Sequence, residues 1–123
     1  AGYAALIAGD LHTKDGRRIE AENAYGDAAE RFRDSAAQNA DYADTAHHYA
    51  VLALAGRAAI RQLRGDARGA VADLLLAAEL RPESLDENDG LDRKPRAIAA
   101  RIALELRSAG QAELADRLQP ILP

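Results

Sequence analysis

Gly16, Gly65 and Gly110 each stand at a break between apolar helical stripes, and the first two of them open stretches of the same pattern. Gly16 is followed at five, nine and twelve residues by Ala21, Tyr25 and Ala28, and Gly65 at the same offsets by Ala70, Leu74 and Ala77. A small, a bulky and a small residue at steps of four and three share one face of a helix. Such an internal repeat constrains the fold more than any single motif, because each unit buries its apolar face only against its neighbours. Gly110 opens a third copy with Ala115 at offset five, but the polar Gln119 stands at offset nine, so this copy is abbreviated.

The stripes between these breaks predict an all-α chain. Tyr42, Ala46, Tyr49, Ala53, Gly56, Ile60 and Leu63 alternate steps of four and three. They predict one unbroken helix over residues 41–64, about 36 Å long at 1.5 Å per residue. Asp41 or Asn39 supplies its N-cap oxygen, and Gly65 with Asp66 ends it. Ahead of it, residues 3–13 form a short Ala/Leu segment, and Ala21, Tyr25, Ala28, Phe32 and Ala36 form a stripe after the Asp15-Gly16 turn. Beyond it, the stripe through Ala70, Leu74 and Ala77 runs to Arg81-Pro82, where proline restricts the preceding residue and stops the helix. Residues 83–94 read as an acidic loop. Pro95 suits a first helical turn, Ala99, Ile102, Ala103 and Leu106 follow it, and a last helix carries Leu114, Ala115 and Leu118 up to Pro120. The chain reads as a single domain over residues 1–123 with helix pairs at 3–37, 41–82 and 95–119.

These residues resemble the tetratricopeptide repeat family: a turn glycine, a small residue where helices cross, a bulky one, another small one, then a proline. The stretch from Gly65 to Pro82 matches best, with Pro82 where the family's terminal proline falls. In the first helices, Ala8-Gly9 and Ile102-Ala103 stand where the family has a large then a small residue, and Leu106 takes its bulky aromatic place. A one-residue shift gives these roles to Gly56 and Ile60 in the middle repeat. The turn glycines lie 49 and 45 residues apart, against about 34 in the family. The surplus falls in residues 36–50 and 83–94. The resemblance implies antiparallel helix pairs stacked as a short right-handed α-solenoid, with first helices lining a concave groove for a partner peptide. A generic helical bundle is the competing architecture.

Composition closes several function classes. The chain has no cysteine, which excludes a disulfide framework, a thiolate nucleophile and Cys-ligated zinc. A net charge of −4 argues against nucleic acid as a bulk electrostatic partner. No apolar run approaches the roughly 20 residues that span a bilayer, so no membrane insertion is expected in this segment. The absence of an initiator Met fits a trimmed N-terminus and leaves room for a removed leader or anchor. Compartment stays open.

Chemistry-bearing residues are few. Asp41, Asp44 and His48, beside His47, could share a helix face as metal ligands, but no second segment completes the set, and a solvated helix shoulder is preferred. The run Asp86, Glu87, Asn88, Asp89, Gly90 suggests calcium. Counting from Gly90 as the turn glycine of an EF-hand puts Leu85 and Arg96 at positions that need carboxylates, so the motif fails. Ser35, Ser84, Ser108, Thr13 and Thr45 lack a nucleophile motif, and no glycine loop cradles phosphate. The sequence is read as non-enzymatic, with no metal and no cofactor.

Arginine carries the functional expectation. Arg57, Arg61 and Arg64 project from one face of the long helix, Arg68 continues the stripe past the turn, and Arg101 and Arg107 lie on the next first helix. If first helices face a groove, these arginines read carboxylates of a partner through bidentate hydrogen bonds. The bland alternative pairs them with Asp66, Asp73 or Glu105. The family's carboxylate clamp for chaperone tails needs Lys and Asn at set places and is not found here. Tyr42 and Tyr49 read as core staples of the long helix. The leading function is therefore a protein-interaction module, an adaptor or scaffold that binds a peptide or helix of another protein. Its rival is homo-oligomeric assembly through the long helix or the C-terminal helix, favoured by the lack of a polar cap and by Ile121-Leu122 as open apolar surface.

Overall fold

The computed structural model describes residues 2–87 and 94–123. Among the described residues every regular element is helical: α1 (Gly2–Lys14), α2 (Arg18–Gln38), α3 (Ala43–Leu63), α4 (Ala67–Leu80), α5 (Pro95–Ser108) and α6 (Ala112–Asp116), with short 3₁₀ segments at Ala40–Tyr42, Pro82–Asp86 and Gln119–Ile121. The long helix is unbroken over Ala43–Leu63, and residues 40–42 enter it as a tighter turn in which the Asn39 side chain accepts from the Asp41 N–H. None of the described helices is long and apolar enough to cross a membrane.

The three turn glycines make the same turn. Gly16, Gly65 and Gly110 have φ of 74°, 87° and 78°. In each case the next N–H reaches five residues back: Arg17 to His12, Asp66 to Arg61 and Gln111 to Leu106, all at 2.8 Å. Each glycine N–H also bonds three residues back, to Thr13, Gln62 and Arg107 at 3.1 Å. This double closure satisfies orphan carbonyls at a helix end and needs a left-handed residue, which glycine supplies without a Cβ clash. Asp66 then caps α4 by accepting from the Gly69 N–H at 3.0 Å.

The turns reverse the chain so that α1 packs on α2, α2 on α3, α3 on α4 and α5 on α6, while α3 also touches α1 and α5. Ala21, Ala28, Ala70, Ala77 and Ala115, all at repeat positions, have no exposed surface, and Leu74 is equally buried. Tyr25, at offset nine from Gly16, is held from two sides. A Cβ built on Gly9 of α1 would lie 2.6 Å from its ring, and one on Gly56 of α3 would lie 2.7 Å from it. The ring fits because both helices lack a side chain there.

Two regions differ from the sequence reading. Residues 82–86 form a helical turn that buries Ser84 and Leu85, so the start of the expected acidic loop is part of the core. At the C-terminus Ile121 is only 5% exposed, and Arg96 Nη1 donates to its carbonyl at 2.8 Å. The expected open apolar end is therefore covered by the chain's own final turn. Only five residues after Gln111 are α-helical; Leu118 and Ile121 complete the burial from irregular and 3₁₀ backbone.

Candidate functional site

The five arginines separate into two groups. Arg57, Arg61 and Arg64 point from α3 toward the second helices α2 and α4. Arg57 grips Asp73 of α4 with both arms, Nη2 to Oδ1 at 2.7 Å and Nε to Oδ2 at 3.0 Å. Arg61 Nη1 donates to the same carboxylate at 3.1 and 3.2 Å, its Nε donates to Glu22 of α2 at 3.3 Å, and Arg64 also pairs with Glu22. Asp66 stands 3.8 Å from Arg61. The result is one ion cluster that ties α2, α3 and α4 together. Burial pushes the Asp73 carboxyl above its ordinary value, against the opposing pull of Arg57 and then Arg61. Arg107 Nη2 donates to Asp116 at 2.8 Å, joining α5 to the end of α6. Arg101 is largely exposed, its Nε 3.9 Å from Glu105.

Arg101 alone of the five lines a cleft contributed by the three first helices. Thr13 of α1, Gly56, Ala59 and Ile60 of α3, and Lys94, Ala97, Ile98 and Arg101 at and along α5 enclose about 320 Å³, with Tyr25 of α2 reaching in from below. The Tyr25 hydroxyl donates to Asp10 Oδ1 at 2.6 Å and lies 3.3 Å from Thr13 Oγ1, which itself donates to the Gly9 carbonyl at 2.8 Å. Burial raises the Tyr25 phenol above its ordinary value, opposed by the Thr13 hydrogen bond. The floor is thus small and apolar with fixed hydroxyls at one end, and the α5 wall carries two cations. Ala59, Ala97 and Lys94 were not singled out by sequence. Their signal, small residues on a first helix outside its apolar stripe or a basic one just ahead of it, has meaning only once the helix faces are known.

A larger cleft, about 670 Å³, opens between the turns at residues 65–68 and 110–117. Asp66 and Glu113 there balance Arg68 and Arg117, and Asp66 is already the α4 cap. It selects no ligand charge, so the smaller first-helix cleft is the better candidate.

The histidine region is a latch. Ser84 Oγ shares a hydrogen bond with His48 Nδ1 at 2.8 Å, Glu87 Oε2 lies 3.3 Å from the same nitrogen, and Arg81 Nη1 donates to both Ser84 (2.8 Å) and Glu87 (2.9 Å). Arg81 Nε reaches Asp44 at 3.1 Å. Serine and acid meet one ring nitrogen rather than opposite ones, and Ser84 has no exposed surface. The set pins the 82–86 turn to α3. Asp44 and His48, grouped in sequence as metal ligands, are thus engaged in it, and among the described residues no three His, Asp or Glu side chains gather as a metal set. Of the run weighed for calcium, Asp86 pairs with Arg96 and Glu87 with Arg81; Asn88, Asp89 and Gly90 lie outside the described residues.

Comparison with protein-family models, with curated proteins and with solved structures finds no match.

Proposed function

We propose that the protein is an interaction module of tetratricopeptide type. Its helix pairs stack as a short right-handed α-solenoid, and its first helices hold an extended segment of another polypeptide. One observation carries this reading: α1, α3 and α5, the first helices of three pairs closed by the same glycine turn, all contribute to a single cleft. A floor of Gly56, Ala59 and Ala97 lets a backbone approach closely, and Lys94 and Arg101 on one wall favour an acidic segment. A scaffold fixed by the Asp73 ion cluster loses little freedom on binding, so little of the contact energy goes to ordering.

The test is equilibrium binding of a library of extended peptides that pair apolar with acidic residues. Ala59→Trp fills the cleft and abolishes binding without changing the far-UV circular dichroism, while Arg101→Glu slows association and flattens its salt dependence. Peptides that bind Ala59→Trp as well as the parent remove the proposal.

A second reading, self-association, is favoured by the outer side of α1. Tyr3, Ile7 and Leu11 recur every four residues, and Tyr3 and Leu11 are exposed. A helix apolar on more than one face is ordinarily covered. On the long helix residues 50–56 are all buried, so the apolar surface it leaves for a second copy lies toward its C-terminal end, where Leu63 is exposed. A sedimentation mass that rises with concentration and falls to the monomer in Leu11→Glu supports self-association; a constant monomer excludes it.

A further inference from the structure

Four of the chain's five aromatic residues gather where α1 begins, α2 ends and the 40–42 turn enters α3. The Tyr49 ring lies 5.3 Å from Phe32, stacked, and 5.6 Å from Tyr3, edge on. Tyr3, Phe32 and Tyr42 then line a cleft of about 360 Å³. Phe32 is its buried floor, while Tyr3 and Tyr42 are 51% and 38% exposed. Two charged residues border it, Arg31 and Asp34. Arg31 is neutralised by Asp27, to which its Nε donates at 2.8 Å. Asp34 makes no ion pair among the described residues. The last turn of α2 also carries no basic residue, so the partial negative charge of its terminal carbonyls has no side-chain complement.

Aromatic faces beside an unpaired carboxylate select a cation, because the ring quadrupole and the carboxylate both attract positive charge. We propose that this cleft seats an arginine side chain of a partner polypeptide, its guanidinium plane against Tyr3 and Tyr42 over Phe32 and its nitrogens on Asp34. Arginine fits better than lysine: the planar fork stacks on a ring and addresses both carboxylate oxygens at once, whereas an ammonium is a compact, strongly hydrated charge. The site is independent of the first-helix cleft. Tyr3 and Thr13 are ten residues apart on α1, about 15 Å along its axis, and the two clefts attract opposite charges.

The experiment is an NMR titration of the intact chain with N-acetyl-Gly-Arg-Gly-amide, following the ring resonances of Tyr3, Phe32 and Tyr42. Parallel titrations use the Lys and Glu counterparts of that peptide. The arginine peptide produces saturable shifts, the lysine peptide binds more weakly, and the glutamate peptide leaves the rings unmoved. Asp34→Asn, a solvent-facing change that preserves the helix, weakens arginine binding roughly fivefold, and Tyr42→Leu does so by a similar factor. Equal response to lysine and arginine reduces the site to nonspecific charge attraction and overturns the proposal. So do stronger binding of the glutamate peptide, which would mark an anion site on Arg31, and an Asp34→Asn titration identical to the parent's.

Discussion

Tyr25 and Leu74 occupy the same place in two successive repeats, nine residues after a turn glycine, yet the halves of the molecule accommodate them by different means. In the first half the knob is an aromatic ring, and Gly9 and Gly56 each give up a side chain to admit it. In the second half the knob is aliphatic, and Leu74 shares its cluster with Ala55, Ala58 and Ala103. Phe32 joins Tyr25 in the first core cluster, whereas the second is built from Ala, Val, Leu and Ile. The repeat register decides where a side chain points; the volume there is settled locally, by exchange between a knob and the residues facing it.

Asp73 joins the halves, since its two arginines come from α3, which contributes to both clusters, and Arg61 links on to Glu22 of α2. Its loss is the largest effect expected. Asp73→Ala leaves two guanidinium groups without their shared carboxylate. Breaking a buried pair costs about 3–5 kcal/mol, and discounting for the partial exposure of Arg57 and Arg61 gives roughly 2–4 kcal/mol. Asp73→Asn keeps the shape and one acceptor and costs less. Urea denaturation measures both, and an Asp73→Ala chain as stable as its parent would mean that the halves cohere without this cluster.

The comparison of knobs is broken next. Gly56→Ala gains up to about 1 kcal/mol of helix propensity, but its methyl meets a ring already backed by Gly9, and overpacking costs roughly 1–3 kcal/mol. A net fall in melting temperature is expected. Adding Tyr25→Leu, which gives the first half the second half's chemistry, recovers part of the loss and appears as coupling in a double-mutant cycle. In the second half, Ala70→Leu at a fully buried small position costs about the same 1–3 kcal/mol. A higher melting temperature for Gly56→Ala, or strict additivity with Tyr25→Leu, would show that the ring is not clamped.

How much of this was legible depends on which interactions are local. The helices, the three turns and the burial of Ala21, Ala28, Ala70, Ala77 and Ala115 could be read because periodicity and turn chemistry act within a few residues. The facing of Arg57, Arg61 and Arg64 could not. Their common side was evident from the spacing, but its direction depends on how α3 is rotated between α2 and α4, and one residue of register turns a helix face by about 100°. Asp73 stands among the acids that the sequence offers as their partners, but its burial and its sharing by two of them follow from packing. The C-terminal closure is not legible because Ile121 is buried through a 3₁₀ turn, which leaves no 3.6-residue pattern. The first-helix cleft and the aromatic cleft are both made by residues from three or more segments, and no spacing in the chain announces either.

The smallest expected effect contrasts the two ends of the molecule. At the α1 end no polar staple among the described residues ties Tyr3 or Leu11 down, whereas at the other end Arg96 holds Asp86 through Nε and Nη2 at 2.7 and 3.1 Å and the Ile121 carbonyl through Nη1. The Arg96 hydrogen bonds hold the Asp86 carboxyl below its ordinary value, outweighing a small opposing effect of desolvation. A carboxyl whose folded value is depressed contributes stability above its unfolded value, near 3.9, and loses that contribution as pH falls through the folded one. Asp86 is exposed, so the consequence is local loosening of the final turn rather than unfolding. Hydrogen exchange at the Ile121 and Leu122 amides, corrected for intrinsic rates, should therefore accelerate as pH drops below about 4. In Asp86→Asn the same amides exchange faster already at neutral pH, and the acid dependence disappears. A ¹³C titration of Asp86 with an ordinary aspartate midpoint would remove the staple, and with it the contrast between a closed C-terminal end and an open α1.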